Sequence, residues 1–247
     1  MGATQVQLDI EEGVAWITLD GPKRRNALDR FAAADLIAAC DRIDGEPSVG
    51  AAVITGAGKA FCSGADTELL EELRTSKADE IYDGLDMLYA GFRRFGALTV
   101  PTLAAVNGAA VGAGLNLALA ADLRIAADTA VFVSGFAAIG IHPGGGHLHL
   151  LARASSATTA AAAGVFAQPI RAERAVATGL AWTAVPLRDL RSSALGLVRH
   201  LAADPSLARA LAADLHRTVL DAARWDRAVE VERARQMWSL TRPNQEI

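Results

Sequence analysis

Two glycine-rich passages in this chain could do chemistry with main-chain atoms alone. Residues 101–122 read PTLAAVNGAAVGAGLNLALAAD. Thr102 to Val106 is short, apolar and partly β-branched, and Asn107-Gly108 is a turn signal, so a buried strand should stop there. Gly112, Ala113 and Gly114 then open a second apolar run, Leu115 to Ala121, rich in the good helix formers Leu and Ala. The first N–H groups of a helix have no intrahelical partner, and residues without bulky side chains let a ligand oxygen approach them. Lys59-Ala60-Phe61-Cys62-Ser63-Gly64-Ala65-Asp66 repeats the device: an apolar run passes through small residues into a helical pattern from Thr67 to Leu73. Ala65 and Asp66 therefore fall where free N–H groups stand. Two such turns can aim two peptide donors at one oxygen and hold a developing negative charge.

The elements that must position these turns can be read in outline. Residues 6–10 and 14–19 alternate around Glu11-Glu12-Gly13 as a hairpin, Asp20-Gly21-Pro22 is a turn, a helix spans about 29–43, and 49–55 is a buried strand. A helical segment at 81–95 precedes the strand at Thr102, so strand, helix and strand recur and imply a spiral of similar turns. Residues 150–163, 170–178, 187–203, 207–220 and 225–238 read as helical. The 247 residues, 51% hydrophobic and 21% charged, can build one large α/β domain or a domain with an appendage.

Composition excludes several functions. A net charge of −4 offers no basic stripe for nucleic acid. Cys40 and Cys62, with no basic-then-apolar leader, give no disulfide framework, and a reducing cytoplasm is the expected location. Between residues 100 and 121 the polar residues are few, yet Pro101 and three glycines interrupt the run, so a buried strand and helix explain it better than a membrane span. Val53 to Phe61 mimics nucleotide loops, but Phe61 stands where a dinucleotide loop needs glycine or alanine, and Ala60 where a P-loop needs serine or threonine. An NAD-dependent oxidoreductase is thus only a remote alternative.

Taken together, Arg25-Asn26-Ala27-Leu28, Val53-Ile54-Thr55-Gly56, Ala60 through Asp66, residues 101–122 and Ile139-Gly140-Ile141-His142-Pro143-Gly144-Gly145-Gly146 resemble the enoyl-CoA hydratase/isomerase (crotonase) family in order and spacing. The resemblance implies an α/β fold: a spiral of repeated ββα units over 1–185 carrying the acyl-CoA site, and a C-terminal helical oligomerisation region over 186–247. It implies a homotrimer or hexamer, no cofactor beyond the coenzyme A of the substrate, and a place in fatty acid metabolism as a lyase or isomerase. The oxyanion donors it implies are the Ala65 and Ala113 N–H groups. For coenzyme A it implies Arg24, Arg25, Lys59, Phe61, Ser63, Gly64, Ala65, Asp66 and Gly112.

Asn116 and Phe136 align with the two acid/base glutamates of the hydratases, and neither moves a proton at neutral pH. Thioester activation without standard two-glutamate hydration is the expectation, with a non-catalytic acyl-CoA binder as the alternative. His142, in the glycine-rich turn, is the first substitute acid or base, and Tyr89 the second. Asp66 reads first as a helix cap. His147 and His149, with His142, could suggest a metal site, but no Cys, Asp or Glu lies within that stretch of sequence, and a two-residue spacing at a helix start does not put His147 and His149 on one face.

Overall fold

The computed structural model describes residues 3–219 and 222–242. Strands β1 (Gln5–Glu11) and β2 (Val14–Asp20) pair antiparallel around Glu12 and Gly13, both at positive φ (49° and 78°). That turn matches the right-handed twist of its strands. Asp29 then caps α1 (Arg30–Asp44) by accepting from the Phe31 and Ala32 N–H groups.

From there the chain winds as a spiral. Its turns are β3 (Ala51–Gly56), β4 (Ala60–Cys62), α2 (Thr67–Thr75) and α3 (Ala78–Gly96); then β5 (Thr102–Val106), β6 (Ala109–Val111) and α4 (Ala113–Ala120); then β7 (Leu123–Ala127), β8 (Val131–Val133) and α5 (His147–Ala154). The chain continues through α6 (Ala157–Ala160), β9 (Ile170–Arg171), α7 (Ala172–Ala177) and β10 (Thr183–Val185), and then α8 (Leu190–Ala202), α9 (Pro205–Thr218) and α10 (Ala222–Leu240). Each turn lends one strand to a large sheet, ordered β1-β2-β3-β5-β7-β10, and one short strand to a small sheet, ordered β4-β6-β8-β9. Pairing is parallel except at β1–β2 and β8–β9. This is the crotonase-type spiral of ββα units.

The apolar stretch at 101–122 is apolar because it is central. Every residue of β5 and of α4 is buried, and α4 packs on α3, α5, β4, β5 and β6. A helix covered on all sides needs no polar face. Among the described residues no helix is long and apolar enough to cross a membrane.

The structure departs from the expected elements in two places. The helix expected over 150–163 is interrupted: α5 stops at Ser155 (φ −145°, ψ −91°), Ser156 caps α6 by accepting from the Thr159 N–H at 3.1 Å, and a single π-helical turn, Ala161–Val165, follows. Serine side chains compete for backbone partners in this way and break helices. The short strands of the small sheet, which supply the second strand of the ββα units, have no position in the sequence pattern, since two or three residues show no periodicity. Residue Leu220, expected to end the helix over 207–220, lies outside the described residues.

Candidate functional site

The first donor turn is held from the segment before α1. Asn26, at φ 58°, sends its Nδ2 to the carbonyls of Ala57, Ala60 and Phe61 at 3.0, 2.8 and 3.1 Å, which fixes the β3–β4 loop. Leu28 then bridges the turn: its N–H donates to Gly64 O, and its carbonyl accepts from Asp66 N, both at 2.8 Å. In extended backbone successive N–H groups point to opposite sides, so the Ala65 N–H between these bonds faces away from Leu28. Asp66 caps α2 through the Glu68 N–H at 2.9 Å and pairs with Arg24.

The second donor turn lies against the first. Gly64 adopts φ +97°, open to glycine, and a Cβ there would stand 2.8 Å from Val111 O and 3.5 Å from Ala113 N. Gly112, at φ 53°, is the N-cap of α4; its N–H donates to Val133 O at 2.9 Å. Ala113 is the first helical residue, so its N–H has no intrahelical acceptor.

Both turns open on one cavity of about 190 Å³ whose lining includes Ala65, Ala113, Asn116, Ser134, Phe136 and Gln236. That is below the ~300–1,000 Å³ of drug-sized ligand sites and suits an acyl group with its thioester. Leu70, Leu85, Leu88, Ile139 and Ile141 make its apolar side.

Behind this wall runs a buried polar chain. Asn116 Nδ2 donates to Gly144 O at 2.8 Å, Asn116 Oδ1 meets His147 Nδ1 at 2.6 Å, and His147 Nε2 meets Ser134 Oγ at 2.8 Å. His147 is fully buried, and burial pushes its pKa down to about 3, so the ring is neutral. The ring also packs edge-on against Phe136 with centroids 4.9 Å apart. Helix α10 closes the site from the far end of the chain: Glu232 accepts the His147 and Leu148 N–H groups at 2.7 and 3.0 Å, Trp225 Nε1 donates to Gly145 O, and Gln236 accepts from the Tyr89 hydroxyl. Burial pushes the Glu232 carboxyl up to about 7, against the pull of those N–H groups.

A family model of enoyl-CoA hydratase/isomerase matches residues 9–243. The chain belongs to the enoyl-CoA hydratase/isomerase family. A probable enoyl-CoA hydratase of Mycobacterium tuberculosis is 49% identical over 176 residues, 71% of this chain and 68% of that protein. The 1,2-epoxyphenylacetyl-CoA isomerase of Escherichia coli K12 is 33% identical over 198 residues, 80% of this chain and 76% of its own. An enoyl-CoA hydratase/isomerase structure from Xanthobacter autotrophicus Py2 superposes with a TM-score of 0.88 at 29% identity, covering 96% of this chain and 89% of that one.

Within this crotonase-family frame, the residues anticipated from sequence fall into three places. Ser63, Gly64, Ala65, Tyr89, Gly112, Ala113, Asn116 and Phe136 all line the cavity. His142 stands one residue outside it: Ile141 and Gly144 are in the wall, while His142 Nδ1 is 2.6 Å from Pro143 O and its N–H donates to Ser239 Oγ at 2.8 Å. Tyr89 is buried, and burial holds its hydroxyl above the usual tyrosine range. Arg24 is engaged by Asp66, Arg25 and Lys59 are exposed, and Phe61 is a core residue beneath the turn. Among the described residues no group of three or more His, Cys, Asp and Glu could hold a metal ion. Sequence reading missed Ser134, Glu232 and Gln236, whose partners lie 13, 85 and 147 residues away.

Proposed function

We propose that this protein is an acyl-CoA-processing enzyme that holds the thioester oxygen between the Ala65 and Ala113 N–H groups and stabilises the negative charge that reaction places on it. The observation that carries the reading is the meeting of two outward-turned peptide donors in one cavity. A preorganised donor of this kind is worth about 3 kcal/mol in a transition state. The curated relatives named for hydration and for isomerisation of CoA thioesters support the substrate class. The apolar wall favours a hydrocarbon acyl group, with Arg25 and Lys59 left to meet coenzyme A phosphates. Neither Asn116 nor Phe136 supplies the acid/base pair of two-glutamate hydration, so that chemistry is not the one proposed.

The working form is a trimer or a dimer of trimers. Leu207, Leu211 and Leu215 are exposed on α9 at four-residue spacing and form one apolar stripe that the described residues leave uncovered.

Titration with octanoyl-CoA and, separately, with NAD tests the site. Binding of octanoyl-CoA is expected; binding of NAD alone would overturn the reading. Ala113→Pro removes one donor at a first helical position, where proline is tolerated. Its acyl-CoA affinity and turnover should fall about 10²-fold while the fold survives; an unchanged variant refutes the two-donor site.

A further inference from the structure

Among the described residues the cavity wall carries four hydroxyls, on Ser63, Thr67, Tyr89 and Ser134, and no carboxylate, imidazole or ammonium. Ser63 donates to the Arg24 carbonyl and Tyr89 to the Gln236 amide, acceptors that take no proton at neutral pH. Ser134 alone of the four hydrogen-bonds an imidazole. The direction of that bond is fixed by its neighbours. Because Asn116 Nδ2 donates to Gly144 O, its Oδ1 faces His147 Nδ1, which must therefore carry the hydrogen. His147 Nε2 is then bare and accepts the Ser134 O–H. Ser134 also flanks the second donor turn: a Cβ on Gly112 would lie 3.5 Å from Ser134 O, and the Val133 carbonyl holds the Gly112 N–H.

We propose that Ser134, His147 and Asn116 act as nucleophile, base and orienter, and that this protein hydrolyses acyl-CoA thioesters through an acyl-serine at Ser134. The proposal rests on the acyl-CoA reading above, which seats the thioester carbonyl at Ala65 and Ala113. Ser134 Oγ adds to the carbonyl carbon as its proton passes to His147 Nε2, and the resulting oxyanion takes the two N–H groups. The C–S bond then breaks, His147 protonates the leaving thiolate, and free coenzyme A departs from an ester on Ser134. A water molecule adds to that ester and gives its proton to His147. The C–Oγ bond breaks, the carboxylic acid leaves, and Ser134 recovers its proton. Asparagine holds the imidazole tautomer without adding charge, as in Cys-His-Asn sites. The buried ring is neutral and so able to take the serine proton, and burial opposes the imidazolium that this forms.

Crotonyl-, octanoyl- and phenylacetyl-CoA are the probes, each first titrated for binding. Thiol release is followed colorimetrically, and acid-quenched peptides are mapped by mass spectrometry. The wild type is expected to release coenzyme A and to carry the acyl group on the Ser134 peptide. Ser134→Ala should bind the same probe but release coenzyme A about 10³-fold more slowly or less. Ser134→Cys restores a nucleophile against His147 and should trap the acyl group on that cysteine. Equal release by wild type and Ser134→Ala, or no acyl group at position 134 in either wild type or the cysteine variant, overturns the triad. If no probe binds any of the proteins, the acyl-CoA reading falls with it; binding without Ser134-dependent release sinks the triad alone.

Discussion

Glu232→Gln isolates the titration of the groups behind the cavity. Burial raises the Glu232 carboxyl from 4.5 to about 7 and lowers the His147 ring from 6.5 to about 3. A carboxyl raised on folding contributes stability that is fully present below 4.5 and is lost as pH climbs through about 7. At about 1.36 kcal/mol per pH unit this loss is about 3 kcal/mol. An imidazole lowered on folding has the opposite sign: its cost is absent above 6.5 and grows as pH falls to about 3, reaching about 5 kcal/mol. Between pH 4.5 and 6.5 both titrations run at once and cancel, so together they leave stability nearly level. The glutamine variant keeps only the imidazole slope. Its stability relative to wild type should rise by about 2–3 kcal/mol across that window. Urea unfolding followed by circular dichroism at half-unit pH steps measures it, and taking the variant-minus-wild-type difference removes other titrating groups. Parallel curves would refute the reasoning, because they would mean that Glu232 ionises in the fold as it does in the unfolded chain.

Crotonyl-CoA hydration by the natural sequence should be very slow, since each well-placed acid or base is worth ~10²–10⁴ in rate and both hydratase positions lack one. Asn116→Glu with Phe136→Glu should raise hydration at least about 10²-fold, read as the 3-hydroxyacyl-CoA product by mass spectrometry. It should also cost about 1–3 kcal/mol in urea unfolding, because the Gly144 carbonyl and the His147 ring lose their partner; a folded, crotonyl-CoA-binding double variant with no gain counts against the assignment of those positions. Leu211→Arg puts a charge in the middle of the exposed α9 stripe and should reduce the light-scattering mass to that of a monomer, whereas a persisting trimer would remove that face from the interface.

What could be read from the sequence was what is local. The two donor turns depend on glycines and short side chains next to one another, and the helix beginning at Ala113 follows from a run rich in the helix formers Leu and Ala. The hairpin turned at Glu12-Gly13 for the same reason. Ser155-Ser156, a recognisable break signal, was outweighed by the alanines around it. Asn26 belongs to the Arg25-Asn26-Ala27-Leu28 motif, but its three carbonyl partners are 31 to 35 residues distant. The Ser134–His147–Asn116 chain had no pattern to find. It exists because β8, α4 and α5 stack within the spiral, and nothing in the spacing of those residues sets their mutual distance.

The closing of the cavity by α10 has a consequence in time. The first wall, from the segment before α1 to β8, can assemble by winding, each turn adding to the one before. Gln236 and Glu232 join Tyr89 and His147 only by bringing together points 147 and 85 residues apart. Long loops of this kind close late, because their entropy cost is paid before the contacts return it. During refolding the sheets should therefore appear before the site can take up its ligand, and the lag between the two signals measures how long the last helix takes to dock.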